Sequence, residues 1–234
     1  MYTIKYRTRF SEVGPDGCLT LPALVNVFQD CSTFHSEDVG VGLRELQEEH
    51  CAWMLSFWQI TVERYPELCE EVTVMTAPYA FEQFYGKRNF WIQDLEGNYL
   101  AKANSIWFFY DIAAGRPVRP SQRQKDAYGL DEPLGMEYAK RRKIALPEEM
   151  EARTPFPVHR DDLDTNLHVN NGRYIRMAAE YFPKGMIREM RAEYRTAAKY
   201  GDVIYPRVGT DGPWTVIALC DEADKPYASV EVRG

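Results

Sequence analysis

Asp164, Asn166 and His168 stand at alternate positions in the segment Asp164-Thr165-Asn166-Leu167-His168-Val169-Asn170-Asn171-Gly172-Arg173-Tyr174. An imidazole is a base near neutral pH, a carboxylate can polarise it or a water molecule, and an amide can orient or donate. Residues at i, i+2 and i+4 of an extended chain share one face, so the spacing predicts that the three groups point together. A helix beginning at Asn170 would set free backbone N–H groups beside them, suited to a developing oxyanion. The same residue types also build an Asp/Asn-rich turn that caps a helix, with no chemistry attached.

The elements around this segment follow from periodicity. Pro155 to His159 reads as a short strand, and Asn170 to Phe182 has helical spacing through Tyr174, Met177, Ala178 and Tyr181. Ile187 to Ala198, Val203 to Val208, Trp214 to Cys220 and Tyr227 to Val232 read as four strands, the last two joined by a hairpin at Glu222-Ala223-Asp224-Lys225. The beginning of the chain has the same order. Tyr2 to Phe10 alternates as a strand, Gly14-Pro15-Asp16-Gly17 turns, and Leu24, Val27, Phe28, Cys31 and Phe34 stripe a helix from Leu21 to about Asp38. A short helical piece, Leu43 to Glu49, precedes strands at Cys51–Glu63, Glu71–Ala77, Gln83–Asp94 and Tyr99–Asp111, with a hairpin signal at Leu95-Glu96-Gly97-Asn98.

Strand, helix and four strands thus occur twice, an internal repeat. At an offset of 148 the turns and helices overlay without gaps, placing Asp16 opposite Asp164, Cys18 opposite Asn166 and Thr20 opposite His168. The polar cluster is kept in one copy only, which predicts chemistry there and a pocket-shaping role for the other. Between the copies, Pro117, Pro120, Pro133 and Pro147 punctuate a charged stretch containing Lys140-Arg141-Arg142-Lys143. The expected organisation is a pocket-shaping domain at 1–115, a linker at 116–152 with one short helix, and a catalytic domain at 153–234. The fold class is α+β, each domain an antiparallel sheet around a helix.

Composition narrows the function classes. The 234 residues are 45% hydrophobic and 13% aromatic, enough for real cores. No run reaches the roughly 18 apolar residues of a membrane helix, and the Met1–Tyr6 stretch alternates instead of forming a signal core. A cytoplasmic protein away from membranes is the expectation. A net charge of −7 speaks against nucleic acid as a partner. Five scattered cysteines without a CxxC pair speak against a disulfide framework and a thiolate metal site. There is no Gly-x-Ser-x-Gly, phosphate loop or His-Glu-x-x-His.

The run Asp162-Leu163-Asp164-Thr165-Asn166-Leu167-His168-Val169-Asn170-Asn171-x-x-Tyr174 resembles the signature of acyl-acyl-carrier-protein (acyl-ACP) thioesterases, bacterial and plastid. Its core, an acid followed by His-Val-Asn-Asn-x-x-Tyr, is also similar to the wider 4-hydroxybenzoyl-CoA thioesterase group of hotdog enzymes. The resemblance implies two tandem hotdog domains and hydrolysis of a fatty-acyl thioester to free acid and holo-carrier, with no metal or organic cofactor. It implies catalytic roles for Asp164, Asn166 and His168, and places Asn170, Asn171 and Tyr174 at the substrate. The implied partners are an acyl carrier protein and a fatty-acyl chain. One chain already holds a hotdog pair, so monomer and homodimer both stay open.

One departure is plain. Members of the family often carry a Glu, and plant members a following Cys, in the strand after the helix, where Glu193-Tyr194-Arg195-Thr196-Ala197-Ala198 offers Ala197 and Ala198. A cysteine nucleophile from that position is excluded. Glu193 lies four residues away, ~13 Å along a strand, and cannot simply substitute. Asp164 is then the expected base with His168 assisting. His35 and His50 read as structural, His159 as core or rim with a place near the site as the alternative, and Trp53, Phe57, Trp58, Phe84, Phe90 and Trp107 mostly as core. The basic run could dock an acidic carrier or be solvated chain. The competing functions are an acyl-CoA thioesterase of the same fold, a dehydratase-like hotdog enzyme, and a degenerate acyl-binding module.

Overall fold

The computed structural model describes residues 1–234, which fall into two compact units. The first comprises Met1–Ser56 and Ile60–Tyr138, the second Phe57–Gln59 and Ala139–Gly234.

In the first unit, β1 (Tyr2–Arg7) leads through a turn to α1 (Leu21–Asp38) and α2 (Leu43–Glu48). Four long strands follow: β2 (Cys51–Val62), β3 (Glu71–Glu82), β4 (Tyr85–Gln93) and β5 (Tyr99–Asp111). They form an antiparallel sheet in the order β1-β3-β4-β5-β2. The helix forms where the apolar stripe predicts: Thr20 caps its first turn, Pro22 occupies an early position, and Leu24, Val27, Phe28 and Cys31 are buried. Phe28 meets Phe90 of β4, with ring centroids 5.3 Å apart. After β6 (Arg116–Pro117) comes α3 (Gln122–Tyr128), the one short helix of the inter-copy stretch. That stretch is not free chain as far as Tyr138. The Tyr128 hydroxyl lies 2.8 Å from Ser36 Oγ, and the Leu134 N–H and Tyr138 hydroxyl both donate to Asn89 Oδ1 at 3.0 Å.

The second unit repeats the plan. Short β7 (Glu151–Ala152) and β8 (Phe156–Pro157) precede α4 (Asn171–Ala179), and β9 (Glu189–Tyr194), β10 (Val203–Asp211), β11 (Trp214–Cys220) and β12 (Pro226–Arg233) complete the sheet. Its order is β9-β12-β11-β10, with β7 and β8 both paired to β10. α4 packs on β11 and β12 through Tyr174, Ile175 and Ala178, all buried. The helix stops at Ala179, short of the expected Phe182, because Pro183 disfavours helical geometry in the residue before it. β9 ends at Tyr194, not at Ala198, because the chain leaves the sheet to make the contacts described below.

Ahead of β7, the chain straps across the second sheet. The Ile144 N–H donates to Glu193 Oε2 at 2.9 Å, and Ile144 is buried. Further along, the Glu149 carbonyl passes so close to Gly209 that a Cβ there would sit 2.8 Å from it. Gly209→Val is therefore expected to destabilise the second unit by about 1–3 kcal/mol, read as a lower urea midpoint with an unchanged slope. An unchanged midpoint would mean that the strap yields freely.

The site at the start of α4

The carboxylate of Asp164 shapes the turn. Its Oδ1 accepts the Asn166 N–H at 2.8 Å and the His168 N–H at 3.3 Å, an Asx turn that bends the chain sharply. The backbone then closes: Asp164 N–H donates to the His168 carbonyl at 2.7 Å, and Leu163 bridges Val169. The expectation of an extended chain with three groups on one face is thus corrected. Asp164 and His168 face each other across a closed turn, both half-buried, while Asn166 stands exposed near its tip. The physical reason is that a short acidic side chain competes successfully for backbone N–H groups that a strand would have paired elsewhere.

Leu167 completes the turn at φ +60° and is 72% exposed. A leucine in left-handed backbone costs about 1–2 kcal/mol, relieved by glycine at an offsetting cost in unfolded-chain entropy. Leu167→Gly is expected to raise the melting temperature by roughly 1–3 °C. A lower one would show that the leucine side chain holds the turn.

The first unit contains the same turn without the chemistry. Gly14 N–H donates to the Cys18 carbonyl at 2.9 Å, Val13 bridges Leu19, and Gly17 takes φ +76°. Thr20 N–H donates to the Glu12 carbonyl at 3.0 Å, as Asn170 N–H donates to that of Asp162 at 2.8 Å. These correspondences set the offset between the copies at 150, correcting 148: Gly14 stands opposite Asp164, Asp16 opposite Asn166, and Cys18 opposite His168. A close match of one Asp to another misled the overlay; the left-handed positions, Gly17 and Leu167, carry the true register.

Asn170 is the N-cap of α4, its Oδ1 accepting the Gly172 N–H at 2.8 Å. That helix-start amide is therefore engaged by the cap. Tyr174 is buried, and its hydroxyl accepts the Ala198 N–H at 2.8 Å while the Ala198 carbonyl takes the Val169 N–H at 2.9 Å. Burial pushes the Tyr174 phenol above its ordinary pKa. The Tyr194 hydroxyl donates to the Asn171 carbonyl at 3.0 Å, with its ring 6.0 Å from that of Tyr174. Tyr194 escaped sequence reading, because an aromatic in a strand reads simply as core. Together the two tyrosines fasten the turn, the helix and the segment after β9 into one body.

Ala198 is buried in that clasp and Ala197 is exposed beside it. Glu193 is held elsewhere: besides Ile144 it accepts from Arg195 Nε and Nη2, each at 3.1 Å. His159 is exposed, its N–H held by Asp162 Oδ2 at 2.8 Å. No three His, Cys, Asp or Glu side chains converge as metal ligands, and no helix is long and apolar enough to cross a membrane.

The two remaining histidines belong to the first unit. His50 ends α2 in left-handed backbone. His35 is buried in α1, stacked on Tyr2 at 5.0 Å and edge-on to Tyr128 at 5.4 Å, with Nδ1 3.0 Å from Arg88 Nη1. Burial first, then the Arg88 guanidinium and the Met1 amino group, push its pKa down to about 4, against a smaller opposing pull from Asp131 and Asp38. A base with its folded pKa below its unfolded value near 6.5 stabilises the fold above that unfolded value, and the benefit drains away as pH falls towards 4. The loss should be on the order of 2 kcal/mol after allowance for screening. Urea titrations of wild type and His35→Gln between pH 7 and 4 check it: the variant should show the shallower decline, and parallel declines would contradict it.

Comparison with known proteins follows the same division of the chain. Residues 1–123 match the family model for the acyl-ACP thioesterase N-terminal domain, and residues 146–210 that for the C-terminal domain. An oleoyl-acyl carrier protein thioesterase of Coriandrum sativum is 24% identical over 230 residues, covering 87% of this chain and 61% of its own. The chain thus spans under two thirds of that relative's length. An acyl-ACP thioesterase from Bacteroides thetaiotaomicron superposes with a TM-score of 0.87 at 24% identity, covering 99% of this chain and 96% of the other. The 12:0-ACP thioesterase of Umbellularia californica gives 0.84 at 21% identity, covering 99% and 96%. The two antiparallel sheets, each with its helix, are accordingly a tandem hotdog fold of the α+β class, and the chain belongs to the acyl-ACP thioesterase family.

Proposed function

We propose that this protein hydrolyses fatty-acyl-ACP thioesters to free fatty acid and holo-carrier, at the turn formed by Asp164, Asn166 and His168. Family membership supports the reaction class. The observation that carries the site is the closed turn: the Asp164 N–H donates to the His168 carbonyl at 2.7 Å, which sets these two residues opposite each other along the backbone at the head of α4.

The chemistry assigned to each group follows from its surroundings. Water attacks the thioester carbonyl carbon as the His168 imidazole takes its proton; the tetrahedral intermediate collapses, the C–S bond breaks, and the imidazolium returns the proton to the leaving sulfur. Asp164 positions His168 through the backbone, its Oδ1 accepting the His168 N–H at 3.3 Å. Asp164 Oδ1 serves two backbone N–H groups, which ties the carboxylate to the turn; His168 is therefore assigned as the base and Asp164 as the group that assists, the reverse of the order expected from sequence. Asn166, exposed near the tip, orients the thioester. Tyr174 and Asn170 hold the geometry from behind, and Ala197 leaves direct attack by water as the route, without an acyl-cysteine. The first unit supplies the acyl-chain site.

Ala197 also favours a second reading, an acyl-binding module that has lost turnover. Competition between lauroyl-ACP and lauroyl-CoA for one enzyme sample separates the possibilities. Preferential thiol release from the carrier protein supports the proposal, preference for CoA turns it to the acyl-CoA class, and binding without release of either supports the module.

A further inference from the structure

One buried charged group in the first unit is not used by the hydrolytic site. Arg88 of β4 is 7% exposed. Its Nη1 donates to Thr76 Oγ1 at 3.2 Å and meets His35 Nδ1 at 3.0 Å, and its guanidinium lies 5.0 Å from the centroid of Tyr128. All three partners are neutral. The Nδ1 contact requires an acceptor, so His35 carries its proton on Nε2 and cannot itself be cationic. Burial depresses even the guanidinium pKa, and no carboxylate contributes to its electrostatic surroundings.

Buried cations are ordinarily paired, because desolvating one costs several kcal/mol and neutral acceptors return only part of it. Buried ion pairs are made elsewhere in this chain, as between Arg191 and Glu231. The carboxylates that act on His35 and Tyr128 are engaged by others: Asp38 accepts the Tyr2 hydroxyl at 2.6 Å, Asp131 pairs with the Met1 amino group, and Glu37 accepts the Leu43 N–H at 2.7 Å. Meanwhile Nε and Nη2 of Arg88 have no partner in the chain, yet they are not among the sealed, unsatisfied atoms of the interior. A guanidinium with that edge open is a fork shaped for two carboxylate oxygens. Phe90, two residues along the same strand and so on the same face, packs against Phe28 of α1 with both rings fully buried, so the surroundings of the guanidinium are apolar.

We propose that Arg88 anchors a carboxylate-binding subsite in the first unit, whose ligand is an aliphatic carboxylate held by Nε and Nη2. Two sources share this chemistry: the head group of a free fatty acid, which is the product of the proposed reaction, and a carboxylate at the far end of an acyl chain. The subsite rests on unit-1 geometry and is tested by binding, so it stands or falls separately from turnover.

Isothermal titration of octanoate and of 1-octanol, matched in chain length, into the wild-type protein provides the test. Octanoate should bind at least ten-fold tighter, and Arg88→Met should abolish that preference while 1-octanol binding changes less than about two-fold. Arg88→Lys, which keeps the charge but not the fork, should retain only part of it. Neutralising the guanidinium also relieves His35, so saturating octanoate should move the His35 ring resonances and raise its titration midpoint, a readout that survives even if the Met variant fails to fold. Thiol release from octanoyl-pantetheine and 7-carboxyheptanoyl-pantetheine then separates the sources: a KM advantage for the carboxylated chain that Arg88→Lys reduces identifies the chain end, and its absence identifies the free acid. Equal affinity for octanoate and 1-octanol in the wild type, with His35 resonances unmoved, would overturn the proposal.

Discussion

His168→Ala is expected to lower kcat for acyl-ACP hydrolysis by about 10²–10⁴-fold, the range for removing a positioned base, while the melting temperature changes little. The small stability cost follows from how the turn is built. His168 contributes its backbone N–H to Asp164 and its carbonyl to the Asp164 N–H, and alanine keeps both. The imidazole is half-buried on a surface turn, not a core element. The effect should appear in kcat more than in KM, because the base acts in the transition state and not in holding the chain. A variant that loses activity by unfolding would show it in its melting curve and would leave the base unassigned.

Asp164→Asn carries the second large effect, and it separates two roles that the structure superimposes. The amide oxygen of asparagine can accept the same two N–H groups, those of Asn166 and His168, so the turn should persist. What disappears is the negative charge of the carboxylate in the turn. A fall in kcat of about 10–10²-fold is expected, with the melting temperature little changed. Normal turnover would reduce Asp164 to a turn former. A fall as deep as that of His168→Ala would return the base to Asp164, as the sequence alone suggested.

These variants bear on how much of the molecule was legible in its residues. The repeat, the helix at Leu21–Asp38 and the four strands of each copy follow from apolar spacing, and the structure places them within a few residues. Periodicity reports which face is buried, and that is what sets those elements. The turn at 164–168 was not legible as a shape. Alternating polar residues read as a strand, whereas the geometry is decided by one carboxylate capturing two N–H groups and by Leu167 accepting a backbone that favours glycine. For the same reason the offset between copies was misjudged by two residues: side-chain identity aligned Asp16 with Asp164, while hydrogen bonding aligns Gly14 with it. The clasp of Tyr174 and Tyr194 on the segment after β9 was hidden too, since a buried phenol gives no sign in sequence of which backbone group it holds. Arg88 was invisible as a buried cation, because its charge in a strand reads as an outward-facing residue.

The central claim is that the turn at the head of α4 releases thiol from an acyl carrier. It is tested most directly by single-turnover thiol release from a C8 to C18 panel of acyl-ACPs, comparing wild type with His168→Ala at equal, verified folding. Release by the wild type that falls at least about a hundred-fold in the variant is the predicted result. Equal rates in the two proteins, or none from a folded wild type that still binds the acyl carriers, would contradict it.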